Sequence, residues 1–377
     1  MTQQVISDHH TLEALNRFLL NRKPRSILLL HGKRSYIESG LSEKLLTPLA
    51  DYPLTQWDDF SSNPQYEDLL QGIEIAKSCQ PDLIIAAGGG SVIDMAKLLA
   101  IFLPNVHSLA ATDFSTISFE HPAIDIIAIP STAGTGSEAT HFSVIWKDGI
   151  KYSVAAASML PKLAVLDPQF LRSQSSYLAA CTMFDALSQA IESYWSIHST
   201  ADSRAYAKKA IELSLPVIAE KNKSDDMLAQ LLIASHLAGQ AINITKTTAA
   251  HAISYPFTAR YHIPHGHAVS LTLPLFFSFN SQVDDSDCLD PRGSSYVRNR
   301  MDELVHLIGA NTAQEATVLL SSLASNLGLN RTLSELGVID NGDIQYIIDN
   351  AFNPQRIANN PRRLTKNALE DILLHIC

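Results

Sequence analysis

The stretch DLIIAAGGGSVIDMAK, residues 82–97, decides how this chain folds. A short apolar run stops at three glycines, and a helical pattern begins at Val92. Four to eight apolar residues closed by glycine read as a buried strand, and the glycines as a strand-to-helix turn. Glycines there let backbone N–H groups approach a phosphate, and the helix N-terminus adds positive partial charge. Gly88, Gly89, Gly90, Ser91 and Asp94 are therefore candidate cofactor contacts, with Lys97 following on the next turn. The pattern is not GxGxxG, and a tight turn without ligand is the competing reading.

Working outward, residues 26–31 and 125–129 are two more buried strands, the latter stopped by Pro130. Helical patterns over 41–50, 66–79 and 92–103 lie between them. Strand–helix alternation predicts parallel pairing in a doubly wound α/β sheet. PSTAGTGSEAT (130–140) leaves the third strand at its carboxyl end, the edge where open α/β sheets bind ligands. Two small-residue loops on one edge favour a phosphate-bearing cofactor, with Ser131, Thr132, Thr135 and Thr140 as hydroxyl candidates. Each hydroxyl taken singly is equally a local turn bond. The first strand ends His31-Gly32-Lys33-Arg34, with no carboxylate to accept from a ribose 2′-OH. Gly32 followed by Lys33 and Arg34 suits NADP better than NAD, unless the cations are a solvated loop pair. Asp148-Gly149 between apolar alternations signals a hairpin.

At roughly 150 residues per domain, 377 residues predict two or three domains. With 46% hydrophobic and 18% charged residues the chain has material for a large core. Lys plus Arg is 28 and Asp plus Glu 38, a net −10, which disfavours nucleic acid and anionic membrane as partners. The four cysteines, Cys79, Cys181, Cys288 and Cys377, show no CxxC spacing, so neither a disulfide scaffold nor a thiolate zinc site is expected. MTQQVISDHH carries no signal-peptide pattern, and the apolar window 83–103 reads as strand plus helix, not a membrane span. The expected location is cytoplasmic. Near Asp167 the texture turns helical, with patterns over 179–195, 202–219, 226–241 and 312–327, and a polar loop at 284–295. We place a dinucleotide-binding α/β domain at 1–167 and an all-α domain, binding metal and substrate, at 168–377.

In that second half Asp185 and Gln189 lie four apart on one helix, sharing a face. His251 and His265 come much later. A carboxylate plus two imidazoles is an ordinary divalent-metal set with open positions for water or substrate. Scattered residues are weak on spacing alone, and each imidazole has a packing alternative.

Together the motifs resemble the iron-containing (group III) alcohol dehydrogenase family over nearly the whole chain. The resemblance rests on GGGSVIDMAK (88–97), PSTAGTGSEAT (130–140), the 161–168 stretch ending LDP, FDALSQAIE (184–192), HAISYPF (251–257), PHG (264–266) and NNPR (359–362). It implies the dehydroquinate synthase-like architecture, with the site in a cleft between the domains, a divalent metal polarising a carbonyl, and NAD(P)H delivering hydride. By position it implies cofactor roles for Gly88 to Ser91, Asp94, Ser131, Thr132 and Thr140, and metal ligation by Asp185, Gln189, His251 and His265. Gly32 falls where NAD-preferring members carry Asp. Gln189 and Tyr255 replace histidines usual in the family. The weaker Gln189 ligand leaves the metal open between Fe(II) and Zn(II), and Tyr255 becomes a candidate proton donor beside His267. His141, Lys151, Lys246, Arg260, His262 and His267 crowd the motifs, which hints at an anionic substrate. Alternatively, Lys151 binds cofactor phosphate and the others are surface charges. The motif wording is similar to the phosphonoacetaldehyde reductase branch. Rivals are a dehydroquinate synthase-like or glycerol dehydrogenase-like enzyme, and a metal-depleted nucleotide-binding protein. The expected partner is a small aldehyde or alcohol; a homodimer is compatible.

Overall fold

The computed structural model describes residues 3–7, 10–329, 332–338, 341–352 and 357–376; Cys377 lies outside them. It divides into two compact units: residues 1–174 with 224–236, and residues 175–223 with 237–377.

The first unit holds strands β1 (Gln4–Ile6), β2 (Ile27–His31), β3 (Leu54–Trp57), β4 (Leu83–Gly88), β5 (Asp125–Pro130), β6 (Phe142–Lys147), β7 (Ile150–Ala155) and β8 (Leu163–Val165). Six form one parallel sheet in the order β1-β8-β5-β4-β2-β3. Side chains alternate between two cores, as the two-residue strand period requires. Leu28, Leu30, Ile84, Ala86, Ile126 and Ala128 join helices Tyr66–Cys79 and Gly90–Phe102 on one face. Ile27, Leu29, Leu83, Ile85, Ile127 and Ile129 join helices Thr11–Arg22 and Leu41–Leu49 on the other. Both faces are covered, so the central strands β2, β4 and β5 are apolar along most of their length. The expected doubly wound sheet forms.

The chain steps outward from β2 to β3, returns across β2, and continues through β4 and β5. The winding therefore reverses between β2 and β4, whose carboxyl ends His31 and Ala87 pair in register. That is the edge where an open sheet receives a ligand. β6 and β7 form the hairpin, turned by Asp148 and Gly149 at φ +52° and +76°. The window 83–103 resolves into β4 and a helix whose body is buried, as expected.

The second unit is helical among its described residues. Its main elements are Ser176–Trp195, Ala201–Ile218, Ala249–Tyr261, His265–Ser281, Ser294–Ile308 and Ala313–Asn326. Helix Asp225–Thr245 gives its first half to the first unit, where His236 Nδ1 lies 3.2 Å from buried Glu138 Oε1, and its second half to the other. The NNPR motif is a staple. Asn360 and Asn280 exchange amide hydrogen bonds, Asn359 donates to the Thr247 carbonyl, and Arg362 donates to the Phe279 carbonyl and Asp287.

Candidate metal centre and nucleotide cradle

In the second unit, helix Ser176–Trp195 carries Tyr177, Cys181, Asp185, Gln189 and Glu192 at steps of four, four, four and three. Such steps keep them in one stripe. Asp185, Gln189 and Glu192 are buried. Two more helices face the stripe. Ala249–Tyr261 presents His251 from its first turn, and His265–Ser281 begins at His265. The second approach is very close: a Cβ on Gly266 would fall 1.9 Å from the Cys181 carbonyl oxygen and 3.0 Å from Asp185 Cβ. Only glycine fits, which explains the PHG motif.

These helices bring Asp185, His251 and His265 together, one ligand atom from each within 4.8 Å of the others. His251 Nε2 is 3.2 Å and His265 Nε2 3.9 Å from Asp185 Oδ1. The far ring nitrogens have partners of their own. His251 Nδ1 lies against Glu192 Oε2. Ser254 donates its hydroxyl proton to the His251 carbonyl at 2.7 Å, so its lone pair, 3.1 Å from His265 Nδ1, accepts from that nitrogen. Both Nε2 atoms are left to the Asp185 side.

Burial alone would push the Asp185 carboxyl up; the two imidazoles, His251 foremost, outweigh it and hold it below the usual carboxylate range. Burial would likewise strip the His251 ring of its proton, but the Glu192 charge and the Asp185 bond push it up to about 10. Two buried carboxylates thus demand positive charge between them. The amide of Gln189 donates to Asp185, while its Oε1 is buried with no hydrogen-bond partner. A carboxylate, two imidazole nitrogens and an orphaned amide oxygen suit a divalent cation.

Tyr255 stacks over His265 at 6.0 Å between ring centroids. His267 is buried, and its Nδ1 is 2.8 Å from the hydroxyl of Tyr177, which burial and Cys181 push up to about 12. Glu192, Ser254 and Tyr177 were not singled out from the sequence; the four-residue stripe ending at Glu192 was the available signal.

In the first unit the two small-residue loops touch. Ser131 N donates to the Gly88 carbonyl at 2.9 Å, and a Cβ on Gly90 would meet the Thr135 side chain at 2.6 Å. Gly89, Gly90, Ser91 and Thr132 keep some exposure, and the Ser91 hydroxyl donates to the Ser62 carbonyl. Gly88, Ser131 and Thr140 are buried. Asp94 turns inward, accepting from Ser137 Oγ and from Val144 N at 3.2 Å, with burial raising its pKa and Lys97 and Lys151 opposing. Gly32 lies at the reversal of the winding, with Lys33 held by Asp59 at 2.7 Å and Arg34 by Glu38 at 2.6 Å. Of the six cationic or protonatable residues noted above, two belong to the first unit and four to the second. His141 and Lys151 flank or lie on the hairpin, whereas Arg260 pairs with Asp343 in the second unit.

A parallel α/β unit with two touching small-residue loops at its ligand edge, followed by a helical unit in which buried Asp185 and His251 meet half-buried His265, is the build of nicotinamide- and metal-dependent oxidoreductases. Residues 2–168 match the family model of iron-containing alcohol dehydrogenase, and residues 179–377 that of the Fe-containing alcohol dehydrogenase family, C-terminal. The chain belongs to this family, whose members are oxidoreductases using NAD(P) and a divalent metal. It is 32% identical to a phosphonoacetaldehyde reductase of Streptomyces viridochromogenes, over 79% of this chain and 76% of that one. An NADPH-dependent butanol dehydrogenase of Clostridium saccharobutylicum is 30% identical over 94% and 92%. The sulfoacetaldehyde reductase of Bifidobacterium kashiwanohense, solved with NAD+, superposes with TM-score 0.88 at 25% identity, covering 100% and 96%.

Proposed function

We propose that this enzyme is a metal-dependent, NADPH-linked reductase of a small anionic aldehyde of the phosphonoacetaldehyde type. The convergence of Asp185, His251 and His265 carries the reading. When bound, the divalent cation, Fe(II) or Zn(II), polarises the carbonyl oxygen, and the reduced nicotinamide supplies hydride. Asp185, His251 and His265 hold the cation, and the orphaned Gln189 Oε1 is the fourth donor. The Tyr255 phenol, stacked on His265, donates the proton that the nascent alkoxide requires, with His267 as the second donor. Gly88, Gly89, Gly90, Ser91 and Thr132 cradle the cofactor phosphates, while Asp94, Ser131 and Thr140 hold that cradle in shape. Gly32 presents no carboxylate to repel a 2′-phosphate, Lys33 would have to leave Asp59 to meet it, and Lys151 adds positive charge beside Asp94. The anionic substrate is supported by the names of two relatives, which reduce a phosphonate- and a sulfonate-bearing aldehyde.

The test is NADPH and NADH oxidation by chelator-treated protein given back iron or zinc, with phosphonoacetaldehyde or propanal. We expect NADPH to be preferred and kcat/KM to favour the phosphonate by at least about tenfold, the ~1.5 kcal/mol of one charged hydrogen bond. His265→Ala should lose bound metal and turnover together. Equal rates on the two aldehydes would remove the anion; turnover unaffected by metal removal would remove the metal.

A further inference from the structure

We propose that Glu192 is the positioning residue of the metal centre: its carboxylate fixes His251 as a ligand through Nε2 and anchors the helix that carries it. The proposal rests on the metal-binding reading of Asp185, His251 and His265. Glu192 is fully buried, yet it is ionic and surrounded by donors. Its Oε1 accepts from Thr248 Oγ1 at 2.7 Å, Ala250 N at 2.9 Å and His251 N at 3.3 Å. Its Oε2 accepts from Thr248 N at 3.2 Å and faces His251 Nδ1. Thr248 is itself fixed by Trp195, whose indole N–H donates to its hydroxyl at 2.9 Å.

One carboxylate therefore does two things. It satisfies the amides that open helix Ala249–Tyr261, where a negative charge also complements the helix dipole. It also keeps the imidazole proton on Nδ1. Nε2 faces Asp185 Oδ1 3.2 Å away, donating its N–H there in the metal-free protein, and it is the nitrogen whose lone pair a bound cation would take up. Backbone and ring of His251 are gripped by the same group, so the ligand atom cannot rotate or exchange tautomer without breaking several buried bonds. Carboxylate–histidine pairs behind a metal orient the ring and raise its basicity, and their loss typically weakens metal binding 10–100-fold. Glu192 lies on the same stripe as Asp185, seven residues on. A single rigid helix thus sets both a ligand and the group that positions another ligand.

Glu192→Gln separates the two roles. Its amide oxygen can keep the bonds from Thr248 Oγ1, Ala250 N and His251 N, but its NH₂ group loses the Thr248 N bond, opposes Nδ1–H and drives the ring proton to Nε2, the metal-facing atom. Co(II) and Zn(II) dissociation constants are measured by chelator competition, with the Co(II) absorption spectrum and the thermal midpoint of metal-free protein alongside. We expect E192Q to bind both ions about 10–100-fold more weakly, with an altered Co(II) spectrum and a midpoint lowered more in the metal-loaded than in the metal-free protein. Glu192→Asp, which keeps the charge one methylene further back, should fall between the two, and it serves if E192Q does not fold. Unchanged metal affinity in the variants, or a loss of stability equal in metal-free and loaded protein, would overturn the proposal and leave helix capping alone. Wild-type protein that binds neither ion would instead overturn the underlying metal reading.

Discussion

The ammonium of Lys97 is fully buried and donates to Ser137 Oγ at 2.9 Å, Thr140 Oγ1 at 2.8 Å and the Phe142 carbonyl at 3.0 Å. Burial pulls its pKa down to about 8, against the opposing charges of Asp94 and Glu138. In the unfolded chain a lysine titrates near ~10.4. Between those two values the unfolded state binds more protons, so this group makes folding more favourable as pH rises through that window and contributes no slope below it. Lys97→Met should remove the slope. Urea unfolding at pH 7.5, 8.5 and 9.5 should show wild type gaining on K97M by about 1 kcal/mol or more across the series; a constant difference would exclude the shift. The glycine loop marked this helix as the candidate cofactor helix, and the alternation of strands predicted the parallel sheet whose edge it lines. The inward rotation of Asp94 and Lys97 was not readable there. It depends on Ser143 and Val144, which bond Asp94 from β6 about fifty residues later.

The elements with a clear period were those the sequence defined. The buried strands are apolar between their polar ends, and Asp148-Gly149 accepts the positive φ values its turn requires. Short β1, β3 and β8, three or four residues each, gave no such pattern; their pairing comes from neighbours in the sheet. Between helices the decisive signal is a missing side chain. Gly266 lets helix His265–Ser281 meet helix Ser176–Trp195 at the Cys181 carbonyl. In Gly266→Ala the new methyl would lie 1.9 Å from that oxygen, and the backbones must separate. Overpacking of this kind costs about 1–3 kcal/mol. Because Asp185 sits on the same contact, G266A should lower the melting temperature by several degrees and reduce retained metal after dialysis. A variant with wild-type melting and metal content would show that the helices are not pressed together there.

At the scale of the whole molecule, the residues alone yielded three scattered candidate ligands, and their meeting is a tertiary fact. His251 and Asp185 are 66 positions apart, and beyond Gly266 the sequence carries little sign of how their helices meet. Of the cations near the motifs, Arg260 pairs with Asp343 within its own unit, a partner that the sequence did not indicate. One consequence of the architecture is testable directly. The metal candidates all belong to the second unit and the phosphate-loop candidates to the first. A ligand stabilises the state that binds it by mass action, about 2.7 kcal/mol at a hundredfold excess over its dissociation constant. Hydrogen exchange should therefore separate the two ligands. Restoring zinc to chelator-treated protein should slow exchange in Ser176–Trp195, Ala249–Tyr261 and the start of His265–Ser281. Adding NADPH alone should slow it at 88–102 and 130–140, the segments proposed to cradle the cofactor phosphates. Metal protection confined to the phosphate loops, or coenzyme protection confined to the three metal helices, would mean that the two sites have been assigned to the wrong units.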